Sequence, residues 1–269
     1  GGAVSVRAAV RAYPALLRAG FASAVAYRAE FVIWMFSTNM PLVMLAIWAA
    51  VARSGPVAGY TQRGFAAYYV STLLVRLLTG AWVVWEMTYE IKEGTLALRL
   101  LRPLHPLISY SAENLAAVPL RGVVAIPVMA GLLLAGRESL SHDWVLWALF
   151  VPAMLGAWLL TFLVMALIGT LALFVDSAVS VFEAWLGLSS VLSGYLIPLD
   201  LFPEAVRVVA LKLPFRFLLS FPVELMLGRP THREALLLLA GQWAYVALAL
   251  VAVRFFWRAG MRRFGAFGG

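Results

Sequence analysis

The chain has 269 residues, of which 63% are hydrophobic and only 13% charged, with a formal net charge of +8. Its mean hydropathy of +0.90 is more apolar than a water-soluble core of this size needs, so a soluble globular protein is excluded in favour of one embedded in a bilayer. The absence of cysteine removes disulfides and thiolate chemistry, three histidines make a histidine metal site improbable, and the arginines are scattered between apolar segments instead of forming a nucleic-acid-binding face.

The chain opens GGAVSVR rather than on methionine, so a processed or appended start is expected, with no cleavable signal ahead of the first apolar span. The stretch AVRAYPALLRAGFASAVAYRAE alternates arginines with apolar residues. It reads either as an amphipathic helix in the membrane interface or as an extension of the span that follows.

A helix needs roughly 20 apolar residues to cross a bilayer, and six segments are expected to do so, at about 31–52, 64–85, 114–136, 144–175, 178–197 and 235–253. They make one transmembrane domain over 1–269. The fourth is long enough that it must tilt, break or project. The second and third carry Arg76 and Arg121, and charges inside a bilayer are functional candidates by default. Arg121 is expected to snorkel to an interface. Arg76, nearer mid-span, needs a partner or water, with Glu113, Asp176 and Glu183 as the candidate carboxylates to neutralise it, and Arg76, Asp176 and Glu183 are candidates for a translocation path or gate. The tryptophans Trp34, Trp48, Trp82, Trp85, Trp144 and Trp147 fall near span ends, as interfacial anchors do, or line an apolar path.

An even number of crossings puts both termini on one side. Eleven Lys and Arg residues flank the spans on that side, against eight on the other, so both termini are expected in the cytoplasm.

Two connections are not ordinary loops. After the second span, WEMTYEIKEGTLALRLLRPLHP places Glu86, Glu90 and Glu93 on one helical face; Gly94 then interrupts, Leu96, Leu100 and Leu101 form an apolar stripe, and Pro103 and Pro106 are expected to stop the helix. The element either lies in the interface or docks on a partner. After the fifth span, 193–230 is too apolar for a solvated loop and is cut by Pro198, Pro203, Pro214 and Pro222. Short re-entrant helices dipping into the outer leaflet are expected there, with Ala205, Val208, Val209 and Leu213 inward and Glu204, Arg207 and Lys212 toward water.

These two connections carry a resemblance. EGTLALRLLRPLHP at 93–106 resembles the cytoplasmic coupling region of type-two ABC exporter permeases, and SGYLIPLDLFPEAVRVVALKLPF at 193–215, with Gly194, Pro198, Pro203 and Pro214, is similar to that family's segment after span five. The resemblance implies an all-α polytopic membrane protein in the plasma (inner) membrane of a prokaryote. It implies six transmembrane helices with an N-terminal interfacial helix, a cytoplasmic coupling helix and extracellular re-entrant helices. It further implies an exporter permease that pairs with a second permease subunit, identical or related, among membrane lipid, and takes energy from separate cytoplasmic ABC ATPase subunits. In that reading Glu86, Glu90, Glu93 and Arg99 make polar contacts to the ATPase, Gly94 shapes the turn, and Leu96 and Leu100 fill its groove. ATP and Mg would be bound by the partner, since the chain has no G-x-x-x-x-G-K-[ST] loop; it has no H-E-x-x-H or G-x-S-x-G either, so no enzyme, cofactor, metal or nucleic-acid role is expected of it. An ion-driven secondary transporter, which lacks support from an internal repeat, and a membrane scaffold are the alternatives.

Overall fold

The computed structural model describes residues 6–26, 40–135, 137–175 and 177–264. Among these the fold is helical, and the one strand-like feature is an isolated bridge between Val57 and Tyr60. In chain order the helices are α1 (Val6–Ala26), α2 (Met40–Val51), α3 (Gln62–Thr79), α4 (Val83–Lys92), α5 (Leu96–Leu100), α6 (Pro106–Ala116), α7 (Val118–Ala135), α8 (Trp144–Thr170), α9 (Ala178–Leu192), α10 (Glu204–Lys212), α11 (Ser220–Met226) and α12 (His232–Phe264).

Among the described residues, four stretches are long and apolar enough to cross a membrane: Gln62–Lys92, Pro106–Leu134, Trp144–Leu173 and His232–Phe264. Two shorter apolar helices cover Met40–Ser54 and Ala178–Leu192. The expected span at 31–52 begins outside the described residues, as do Trp34 and Asp176.

Several boundaries differ from those read in the sequence. The second span was expected to close near residue 85, but nothing there opposes helix; α4 runs to Lys92, with Glu86 in its first turn and Glu90 in its last. The stop comes at Gly94, whose φ of 74° is one that a side-chain-bearing residue adopts at a cost. Pro106, expected to end a helix, begins one instead. It sits in the first turn of α6, where a missing N–H costs nothing, and the His105 ring nitrogen accepts from Leu107 N at 3.3 Å. The third apolar stretch therefore starts at 106 rather than 114. α9 ends at Leu192, short of the expected 197, and α12 continues to Phe264, so Arg254, Arg258, Arg262 and Arg263 ride on the last helix.

α3 and α8 are the inner helices. Phe65, Tyr69, Val75 and Leu77 of α3 and Leu160 and Ala166 of α8 are buried, whereas Val123, Ile126 and Leu134 of α7 and Leu237, Leu248 and Val251 of α12 face outward. Because lipid tails are as apolar as leucine, helices in a bilayer associate through close packing more than through water exclusion, and small residues permit it. Gly20 of α1 rests on Ala116 of α6, and Gly169 of α8 rests on Met87 of α4; a Cβ added at either would stand 2.9 Å and 3.0 Å from those side chains. The contacts of Tyr13 with Ser111 and of His105 with Trp257 bring α1 and the end of α12 to the same end of the bundle as α5.

Candidate functional site

The turn-rich corner formed by α4, α5 and α6 is held by one guanidinium. Arg99 of α5 forks onto Glu90 of α4, with Nε to Oε2 at 2.9 Å and Nη2 to Oε1 at 2.5 Å, and its Nη1 donates to Glu113 Oε1 of α6 at 2.8 Å. The Tyr110 hydroxyl donates to Glu90 Oε2 at 2.5 Å, and its ring lies beneath the guanidinium, 4.0 Å from centroid to Cζ. Burial works against the charge on Arg99, but the bonds to Glu90 and Glu113 outweigh it and hold the pKa above the ordinary arginine value. Both carboxylates and the guanidinium are less than one-third exposed, so the network is a partly buried, bidentate one and not a surface ion pair.

With the charges turned inward, apolar side chains are left outside. Tyr89 is 66% exposed, Leu98 66% and Leu101 82%, with Leu100 partly exposed beside them. Leu96 points the other way. It is fully buried in the same core cluster as Met87, Tyr110 and Leu160, which corrects the expectation that Leu96 is available to a partner's groove. The expected outward contacts of Glu90 and Arg99 are likewise replaced by their bonds to each other, and Glu86 is approached by Asn114 Nδ2 at 3.4 Å. Glu93 and Gly94 are exposed at the turn.

Immediately inside this corner the helix is broken between α3 and α4. The break frees a carbonyl and an N–H, and the neighbouring helices engage both: Arg121 of α7 donates to the Gly80 carbonyl, and Asn114 Oδ1 of α6 accepts from Trp82 N at 2.8 Å. Arg121 is fully buried, which corrects the snorkelling expectation. A charge at mid-span costs about 2.5–3.5 kcal/mol on insertion scales, and bonding to a carbonyl released by a helix break offsets part of it.

At the opposite end, the connection from α9 to α12 is strapped down. The Tyr68 hydroxyl donates to Gly194 O at 2.7 Å, and the Tyr69 hydroxyl to Leu196 O at 2.9 Å. Gly194 has φ 84°, and a Cβ there would lie 2.5 Å from the Tyr68 oxygen, so both backbone and space demand glycine. Pro198 and Pro203 precede a 3-10 turn and α10, and Pro214 opens a second 3-10 turn. Asp200 accepts from Tyr60 at 3.0 Å and pairs with Arg229, while Arg216 pairs with Glu224 at 2.5 Å. Phe221, Val223, Leu225 and Met226 of α11 are wholly buried. α10 differs from expectation: Ala210 is its buried residue, and Val206, Val208 and Val209 are exposed.

Between the two ends, α3, α8, α9 and the 193–196 segment line a half-open cavity of about 370 Å³ that Arg76 also lines, its Cζ 5.7 Å from the Tyr195 ring centroid. Among the candidates to neutralise Arg76, Glu113 is committed to Arg99, Glu183 is exposed on α9, and Asp176 lies outside the described residues. Sequence reading missed Tyr110, Asn114, Tyr195 and the serines of α9, because each is an unremarkable residue until helix packing brings it beside a charge.

No curated protein and no solved structure matches the chain. A family model described as ABC-2 family transporter protein matches residues 37–268, and on that match across nearly all of its length the chain belongs to the ABC-2 family of ABC transporter membrane proteins.

Proposed function

We propose that this chain is the transmembrane subunit of an ATP-driven exporter, paired with a second permease subunit in the inner membrane of a prokaryote and driven by separate cytoplasmic ABC ATPases that bind ATP and Mg. The observation that carries this reading is the corner at α4 and α5. Its charges are consumed internally, while Tyr89, Leu98, Leu100 and Leu101 stand out from a braced turn, the arrangement expected of an apolar knob that enters a groove on a partner. The brace matters as much as the knob. A push on α5 reaches α4 and α6 through Arg99, and from there the break at Gly80–Trp82 and the cavity beyond it.

In this reading the α5 end is cytoplasmic, which the arginines of α12 and the positive-inside tendency support, and the chain crosses six times, with the two shorter apolar helices, α2 and α9, supplying the crossings beyond the four long stretches. The 193–226 connection lies at the outer face and enters the membrane. Tyr68 and Tyr69 stand about 10 Å along α3 from its first residue, at 1.5 Å per residue, and they reach the backbone of that connection. Such irregular backbone is tolerated at depth where protein covers it, as it does around α11. Catalysis is left to the partner, and the chain itself carries out no chemistry.

The test is purification in mild detergent with identification of co-purifying proteins and an ATPase assay. A stoichiometric soluble ATPase, displaced by Leu98→Asp with Leu101→Asp but retained by Lys92→Ala, is the expected result. Recovery of the chain alone from its native membrane, or an ATPase that binds the double variant as well as the wild type, would overturn the reading.

A further inference from the structure

The Arg76 cavity contains a charge with no carboxylate beside it among the described residues, two uncommitted hydroxyls and an apolar wall. Thr79, Thr161, Ser189 and Ser190 all line it, but each donates its hydroxyl to a carbonyl of its own helix at 2.7–3.1 Å, so toward the cavity they present acceptor lone pairs. Donors come from Arg76 and from the hydroxyls of Ser193 and Tyr195, which bond to no described protein group. Trp185 and Leu218 contribute apolar surface. A volume of about 370 Å³ falls within the range of small-ligand sites.

A guanidinium with no described carboxylate beside it, in a low-dielectric surround, favours an anion, and its planar fork matches a phosphate or carboxylate. A wall that mixes donors, acceptors and apolar side chains suits a molecule whose charged head continues into an apolar body. We infer that this cavity receives the anionic head of an amphiphilic substrate, Arg76 forking onto its phosphate or carboxylate while Ser193 and Tyr195 donate to it. The word substrate rests on the exporter reading; the anion-binding site does not.

The test measures binding of a fluorescent lysophosphatidic acid to the purified permease in neutral detergent, against a monoacylglycerol with the same chain and fluorophore. Wild type should prefer the anionic probe by about tenfold or more, the size expected of a charge-assisted fork, and Arg76→Gln should abolish that preference while Arg76→Lys retains part of it. Ser190→Phe, which fills the cavity and leaves the arginine in place, should weaken both probes, and it decides the matter if Arg76→Gln fails to fold as judged by gel filtration. Equal preference in wild type and Arg76→Gln, or unaltered binding in Ser190→Phe, would overturn the site. Displacement of the probe by an equal concentration of inorganic phosphate would overturn the amphiphile and leave a free anion. When the co-purified ATPase is assayed, stimulation by the anionic probe in wild type but not in Arg76→Gln supports the substrate assignment. Binding without stimulation in a complex with an active ATPase overturns that assignment alone, and binding by a permease that captures no ATPase overturns the exporter reading alone.

Discussion

Arg99 and Arg76 have the same chemistry and opposite surroundings. Arg99 at the α5 corner has a carboxylate on each side and an aromatic ring beneath it, whereas Arg76 in the cavity faces one aromatic ring and serine and threonine hydroxyls. The first is spent on holding three helices together and leaves apolar side chains to meet whatever approaches from outside. The second keeps its hydrogen-bonding capacity for a visitor. In a chain this apolar, a charge marks either a brace or a site, and the identity of its neighbours separates the two.

The sharpest way to break that comparison is to replace each arginine by methionine. Arg99→Met strands Glu90 and Glu113 in a partly buried position, and loss of one partner from such a network costs about 3–5 kcal/mol, so a large fall in thermal stability in detergent is expected. Arg76→Met removes a charge that no described carboxylate neutralises, and the same measurement should show little loss or a gain. Equal losses would mean that Arg76 is a brace as well. Pairing Arg99→Met with Glu90→Gln should recover part of the stability, because one of the two stranded charges is then gone.

A smaller effect is expected at the helix break that links the two regions. Asn114→Leu keeps the side-chain volume but takes away the acceptor of Trp82 N, and an unsatisfied buried amide costs about 1–3 kcal/mol. Faster hydrogen exchange should follow at the first turn of α4, with α8 unchanged. Uniform acceleration across the bundle would instead mean that Asn114 supports the whole core and not the break.

These differences also explain what the sequence could reveal. The bilayer class, the apolar stretches around α3, α7, α8 and α12, and the special character of both connections are written in composition and in runs of residues, since a bilayer imposes its thickness on sequence directly. The family resemblance on 93–106 and 193–215 agrees with the family match. Helix ends were less legible. Pro106 can stop a helix or start one, and which it does depends on His105 capping and on what α6 packs against. Which leucine faces out was hidden for a similar reason: Leu96, Leu98 and Leu101 are chemically alike, and only the docking of α5 against Met87 and Tyr110 sends Leu96 inward. The pairing of Arg99 with Glu90 and Glu113 joins residues 9 and 14 positions apart across two turns, beyond the reach of helical spacing rules.

The far-end strap offers a finer version of the same contrast, because it is held by neutral hydroxyls where the α5 corner is held by charges. Tyr68→Phe deletes one bond to the Gly194 carbonyl and keeps the ring, so about 0.5–1.5 kcal/mol is the expected loss, read in the unfolding midpoint. A loss as large as that of Arg99→Met would remove the distinction between a braced corner and a strapped lid.

The smallest expected effect is one of pH, at the exposed pair of Asp143 and His232, which ties the start of α8 to the start of α12. The bond from His232, followed by that from Val145 N, holds the Asp143 carboxyl below its ordinary value of 3.8. A carboxyl whose folded pKa is depressed binds its proton more readily in the unfolded chain, so its contribution is complete above the unfolded value and disappears as pH falls through the folded one. The stability difference between wild type and Asp143→Asn should therefore be constant from neutral pH down to about 4 and shrink below it. Asp143 also caps α8 through Val145 N at 2.9 Å, and asparagine can keep that cap without its charge, so the pH-dependent part reports the two charge-assisted bonds together, the larger being that of His232. A difference that did not shrink below about pH 4 would mean that these bonds do not hold the carboxyl.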